Sequence, residues 1–210
     1  MLTTEIILFI LLAYLTGAFP SAVWVGKTFY KTDVREFGSG NAGATNTFRV
    51  LGKKAGIPVL LMDIFKGWLA VNYLSLLAVI PESIEHQFEI KLVFGIAAVI
   101  GHLFPVYTGF RGGKGIATLL GLLIGLHPFA AFYSILVFVL IFMISKYVSL
   151  GSIIASIAFP ILVIFILGST NTSLNLFAFF VPILSLITHQ KNIERLLRGE
   201  ETKVKFGKNN

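Results

Sequence analysis

From Thr4 to Thr188 the chain is a succession of long apolar runs, and two glycine-rich polar segments lie between them. Roughly 20 apolar residues cross a bilayer as a helix, because helical hydrogen bonds satisfy the backbone within the segment itself. That requirement removes most of the available folds. The runs cover 4–26, 55–80, 92–110, 115–127, 128–145, 150–167 and 174–188, followed by a polar tail at 189–210. Charged residues make up 13% of the chain, against about 25% in a soluble domain. The expected fold class is therefore all-α, a polytopic integral membrane protein forming one membrane domain over residues 1–210. Glu5 is the only charge in the first run, no basic stretch precedes it, and it is too long for a signal-peptide core, so it is expected to be a retained span. The absence of cysteine excludes disulfides and a thiol nucleophile.

The number of spans turns on residues 116–145, some thirty apolar residues with His127-Pro128 near the middle. Proline breaks or starts a helix. Short cytoplasmic loops are enriched in Lys and Arg. With a turn at His127-Pro128 there are seven spans, the N-terminus lies outside, the C-terminus is cytoplasmic, and all 17 Lys and Arg except Lys91 fall inside. With one span there, the asymmetry largely disappears. Seven spans are therefore expected, the fourth being short and seated where the bilayer is thinned or protein surrounds it. The tail segment Lys191–Arg198 has helical amphipathic spacing and is expected to rest on the cytoplasmic interface.

The first polar segment is Gly38-Ser39-Gly40-Asn41-Ala42-Gly43-Ala44-Thr45-Asn46-Thr47-Phe48-Arg49. Its glycines allow positive φ and close approach to a ligand, and successive backbone N–H groups in such a loop can converge on an anion. Ser39, Asn41, Thr45 and Asn46 add hydrogen-bonding groups, and Arg49 adds a planar cationic fork suited to phosphate. The second segment is Gly109-Phe110-Arg111-Gly112-Gly113-Lys114-Gly115. On the expected topology both lie on the cytoplasmic face with the end of the last span, where His189 and Asn192 stand three apart. If the last helix continues through them, they share a face. No carboxylate lies in either glycine core, so the collection suits a phosphorylated substrate.

Two motif matches fail on context. Gly38 to Gly43 fits GxGxxG, but a membrane span precedes it where a dinucleotide fold needs a strand. Gly109 to Lys114 is one residue short of a Walker loop, and Gly115 replaces the magnesium-binding Ser or Thr. Asp63 and Lys66, three apart in an apolar helix, read first as a structural ion pair. His102, near Pro105, either lines the site or supports packing. No carboxylate or histidine cluster has metal-ligand spacing, so no metal and no cofactor are expected.

Three motifs resemble those of the bacterial acyl-phosphate–dependent glycerol-3-phosphate acyltransferase family: Gly38–Asn46 with Arg49, Gly101-His102 through Gly109–Gly115, and His189-Gln190-Lys191-Asn192-Ile193-Glu194-Arg195-Leu196. The resemblance implies a seven-span enzyme of the bacterial inner membrane with a cytoplasmic site. It implies acyl transfer from acyl phosphate to the sn-1 hydroxyl of glycerol 3-phosphate, giving lysophosphatidate and phosphate for phospholipid synthesis. By motif position, Ser39, Arg49, Lys114, His189 and Asn192 would be site residues, and Gly112, Gly113 and Gly115 would shape glycerol 3-phosphate binding. Glu194 would be structural. Implied partners are the two substrates, membrane lipid and an enzyme that makes acyl phosphate, with no nucleic acid. Lys114 and Arg49 would clamp phosphates, with Ser39 and Asn192 as hydrogen-bonding partners; the base is His189 or a substrate phosphate oxygen. The competing reading is a membrane transporter of an organic phosphate, which one basic vestibule would also fit.

Overall fold

The computed structural model describes residues 2–77 and 86–204. Residues 78–80 of the second run, 81–85 of the acidic loop after it, and Lys205 and Lys208 of the tail lie outside the described residues. Every regular element among the described residues is helical. The chain divides into two compact units, Met1–Pro128 and Phe129–Asn210.

The first unit contains α1 (Leu2–Ala18), α2 (Ser21–Tyr30), α3 (Ala44–Leu51), α4 (Lys53–Leu77), α5 (Gln87–Leu103) and α6 (Ile116–Leu126). Helix α4 is its centre, with α1, α2, α3, α5 and α6 packed on it. Two helix pairs approach backbone to backbone. A side chain at Gly67 of α4 would collide with the Thr118 carbonyl of α6, and one at Gly121 of α6 with the Ile64 carbonyl of α4. Gly17 of α1 and Gly101 of α5 stand in the same relation to Ala98 and Tyr14. Lipid chains are as apolar as leucine, so helices in a bilayer are held by such close packing rather than by escape from water.

The run 4–26 is two helices, not one. Proline at position 20 has no N–H to give, and α1 and α2 meet there at 42°. Helix α4 supplies partners on both sides of the break. The Phe19 carbonyl accepts from Lys66 Nζ at 3.0 Å, and Ser21 Oγ donates to Asp63 Oδ1 at 2.9 Å. Lys66 Nζ and Asp63 Oδ1 are 2.9 Å apart and both residues are buried. Asp63 and Lys66 thus form the structural ion pair read from their spacing, and they also fasten the break in the first run.

The second unit contains α7 (Pro128–Ser145), whose first residue closes the preceding unit, α8 (Val148–Ile161) with a π-helical extension at Leu162–Ile166, α9 (Thr172–Thr188) and α10 (Gln190–Leu197). Helices α8 and α9 pack together. Gly151 of α8 lies against Phe138 of α7, while Phe129, Leu140 and Ile144 of α7 stay exposed, as suits a surface facing lipid. The last helix does not continue through His189 and Asn192: α9 and α10 meet at 65°. The amphipathic tail helix is present as α10.

Among the described residues, four helical stretches are long and apolar enough to cross a membrane, and up to six if each bent pair counts as one broken span. Helix α6 begins after Gly115 and ends where His127 and Pro128 start α7. At 1.5 Å per residue it extends about 16 Å, roughly half of a hydrocarbon core.

Candidate active site

The first glycine segment is built around Asn46. This residue is buried in α3, and its amide is used at both ends. Oδ1 accepts from Ser39 N at 2.9 Å and Ser39 Oγ at 3.1 Å, while Nδ2 donates to the carbonyls of Val34 at 2.7 Å and Phe37 at 3.1 Å. Gly38 adopts φ 62°, and a side chain there would strike Asn46 Oδ1. The loop then runs into α3 at Ala44. Thr45 and Arg49, four residues apart on that helix, are both exposed, and Asn41 is half-buried. Among the described residues Arg49 makes no hydrogen bond or ion pair.

Upstream, Asp33 caps a single helical turn at Val34–Glu36 and gathers two cations. Arg35 Nη2 is 2.8 Å and Lys27 Nζ 3.1 Å from Asp33 Oδ2. The Arg35 guanidinium holds the Asp33 carboxyl well below the usual carboxylate range against the cost of its burial, with the Arg35 N–H and Lys27 helping. Arg35 Nη1 also donates to the Thr108 carbonyl at 3.1 Å, which ties the first polar segment to the second.

The second segment is packed on His102. The Gly113 N–H donates to the His102 carbonyl at 3.1 Å. A side chain at Gly112 would hit that carbonyl, and one at Gly113 would hit Nε2 of the His102 ring. His102 Nδ1 is 3.6 Å from Asp63 Oδ1, so the ion pair inside α4 also backs this loop. Ala42 of the first segment joins Lys66, His102, Gly112 and Gly113 around a void of about 10 Å³. Gly115, at φ 80°, precedes the first turn of α6, and Lys114 beside it is half-buried. The structure therefore brings both glycine segments together in the first unit. Each runs into a helix N-terminus, where unpaired backbone N–H groups and the helix dipole favour an anion.

A separate open cavity of about 770 Å³ in the same unit is lined by Lys27, Asp33, Arg35, Trp24, Tyr107 and Arg111 among others. Of the two polar segments read from the sequence, Gly109 and Arg111 of the second line it.

His189 and Asn192 belong to the second unit. His189 is buried at the α9–α10 junction, and its Nδ1 lies 2.9 Å from the Ser185 carbonyl. A carbonyl only accepts, so Nδ1 carries a proton toward it. Asn192 Nδ2 donates to Glu201 Oε1 at 2.9 Å. Glu201 also takes Ser149 Oγ at 3.1 Å and Arg195 Nε at 2.7 Å. Burial alone would raise its carboxyl. The hydrogen bonds from Arg195 and Asn192, the Arg195 charge and the Ser149 hydroxyl outweigh that and hold it below the usual glutamate range. Sequence reasoning missed Glu201 and Ser149. The available signal was a pair of acids, Glu200-Glu201, in an otherwise basic tail. Glu194 pairs with Arg198 at 2.7 Å on the exposed side of α10.

A family model described as Glycerol-3-phosphate acyltransferase matches residues 7–199. The chain belongs to the glycerol-3-phosphate acyltransferase family. A glycerol-3-phosphate acyltransferase of Enterococcus faecalis is 43% identical over 210 residues, covering 97% of this chain and 94% of that protein. One from Staphylococcus aureus is 45% identical over 202 residues, covering 96% and 98%. Among solved structures, the chain is similar to the crystal structure of PlsY (YgiH), an integral membrane glycerol 3-phosphate acyltransferase. The glycerol 3-phosphate form matches with a TM-score of 0.83 at 35% identity, covering 95% of this chain and 96% of that one. The lysphosphatidic acid form matches with a TM-score of 0.80, also at 35% identity, covering 95% of each. This family member is thus an acyltransferase and a multi-pass membrane protein, and the transporter reading is not favoured.

Proposed function

We propose that the enzyme transfers an acyl group from acyl phosphate to the sn-1 hydroxyl of glycerol 3-phosphate, releasing 1-acylglycerol 3-phosphate and inorganic phosphate. One observation carries the reading. The two similar solved structures are described as glycerol 3-phosphate and lysphosphatidic acid forms, the acceptor and the product of this reaction. In this reading α1, α4, α5, α6, α7, α8 and α9 cross the bacterial inner membrane, with the N-terminus outside and the chemistry at the cytoplasmic face. The short α6 packs against α4 and α5.

An acyl phosphate is a mixed anhydride, so its carbonyl carbon is already activated. The sn-1 oxygen attacks that carbon, the bond from carbon to the phosphate oxygen breaks, and phosphate leaves with the electron pair. The proton of the hydroxyl passes to His189 Nε2 or to a substrate phosphate oxygen. The enzyme must chiefly hold two anions that repel each other and stabilise charge on the leaving phosphate. Lys114 and Arg49 supply the cationic clamps, Asn192 donates an amide N–H, and Ser39, whose hydroxyl proton points to Asn46, is a further hydrogen-bonding partner. An enzyme that makes acyl phosphate is the functional neighbour.

The test is purified protein in detergent with palmitoyl phosphate and labelled glycerol 3-phosphate. Labelled lysophosphatidate acylated at sn-1 is expected without acyl-CoA or acyl carrier protein. Product formed only when one of those thioesters is added would overturn the donor assignment.

A further inference from the structure

The tail after α10 is tied down by charge. Gly199, at φ 72°, turns the chain back, with Gly199 N donating to the Leu196 carbonyl at 3.2 Å and Glu200 N to the Arg195 carbonyl at 2.8 Å. The turn delivers Glu201 between α10 and the start of α8. Beyond it, Lys203 Nζ lies 5.3 Å from the centre of the Tyr147 ring, and Val204 N donates to the Lys146 carbonyl at 2.9 Å. The result is a strap, residues 199–204, laid across the first turn of α8.

Glu201 is 9% exposed. Burying a carboxylate is costly unless its oxygens are met by a cation and by further donors. Here both are met: Arg195 supplies the charge on Oε2, and Ser149 and Asn192 supply the two donors on Oε1. A carboxylate accepts only, so this contact decides which end of the Asn192 amide is nitrogen and fixes its plane. It likewise commits the Ser149 hydroxyl proton, so toward any other group that oxygen acts as an acceptor.

We propose that Glu201 is a positioning residue for Asn192, and that the strap sets the affinity for glycerol 3-phosphate without touching it. The inference rests on the function proposed above, in which Asn192 donates to a substrate phosphate. A residue that aligns a donor changes how well the ligand is held, whereas a merely structural residue changes how much folded enzyme is present.

The experiment uses the full chain in detergent and three proteins: wild type, Glu201→Ala and Glu201→Gln. Thermal melting, turnover with palmitoyl phosphate, and equilibrium dialysis of labelled glycerol 3-phosphate are measured for each. Glu201→Ala is expected to raise both KM and Kd for glycerol 3-phosphate at least tenfold, with kcat and the KM for palmitoyl phosphate within about threefold of wild type. Glu201→Gln keeps an acceptor for Asn192 and Ser149 and is expected to recover most of the lost affinity. A folded Glu201→Ala enzyme with wild-type KM and Kd overturns the proposal. So does a fall in kcat that simply follows the folded fraction in both variants. Should Glu201→Ala fail to fold, a further variant, Glu201→Asp, decides: its shorter side chain draws the carboxylate away from Asn192 while keeping the charge, so a folded enzyme with Kd for glycerol 3-phosphate raised several-fold supports the proposal, and a folded enzyme with wild-type Kd overturns it. A wild type that neither binds nor acylates glycerol 3-phosphate sinks the functional reading first, and that result is visible before any variant is compared.

Discussion

In the first unit a polar segment is gathered round a neutral amide, Asn46; in the second, a helix junction is gathered round a carboxylate, Glu201. Asn46 reaches only its own neighbourhood, from Val34 to Ser39. Glu201 ties the tail to Ser149, 52 residues away. The amide uses two donors and two acceptor positions on backbone and side chain, does not titrate, and adds no charge to a loop that is to receive an anion. The carboxylate needs Arg195 beside it and is a good hub only while ionised. One arrangement is local and indifferent to pH; the other is long-range and depends on charge.

The largest effect is expected where the neutral hub is removed. Asn46→Ala strands the Val34 and Phe37 carbonyls and the Ser39 N–H, and an unsatisfied buried polar group costs about 1–3 kcal/mol. Thermal melting in detergent should show a loss of about 3 kcal/mol or more, and turnover should fall at least a hundredfold. Arg49→Ala separates holding from chemistry: the side chain is exposed, so melting should stay within a few degrees while turnover drops about a hundredfold or more. Wild-type turnover in that variant would remove Arg49 from the site.

Acid should distinguish the two hubs. The Glu201 carboxyl is held below its usual range, so its contribution is complete above the unfolded glutamate value of about 4.3 and is lost as pH falls through the lower, folded value. Hydrogen exchange followed from pH 6 downward should quicken first at 195–204. The 38–49 loop should hold longer, since its hub does not ionise and Asp33 beside it is held well down by Arg35. Loosening at 38–49 first would reverse the comparison. The smallest effect is reserved for Glu194→Gln, which breaks an exposed pair with Arg198 and should cost under about 0.5 kcal/mol with turnover unchanged.

Much of this was legible in the residues. Apolar run lengths marked the helices, and His127-Pro128 marked the end of α6, because proline and run length act locally. The Asp63–Lys66 pair followed from spacing within one helix. The break at Pro20 was missed because the run stays apolar through it, and only the groups on α4 that receive its freed ends explain why it is tolerated. Asn46 was singled out as a substrate contact, yet both ends of its amide are used within the loop; composition cannot say which way a side chain faces. Glu201 was invisible because its partners are distant in sequence and the tail reads as a solvated basic segment.

The charged pair inside α4 has a consequence for how the chain enters the membrane. Each charge at the centre of a hydrocarbon span costs about 2.5–3.5 kcal/mol on insertion. The groups that complete the pair, Phe19 and Ser21, come from the helix break made earlier in synthesis. Phe19 and Ser21 precede α4 in the chain, and His102, 3.6 Å from Asp63, follows with α5. The order of synthesis thus puts two of the pair's partners, on the first two helices, ahead of the costly fourth helix that needs them.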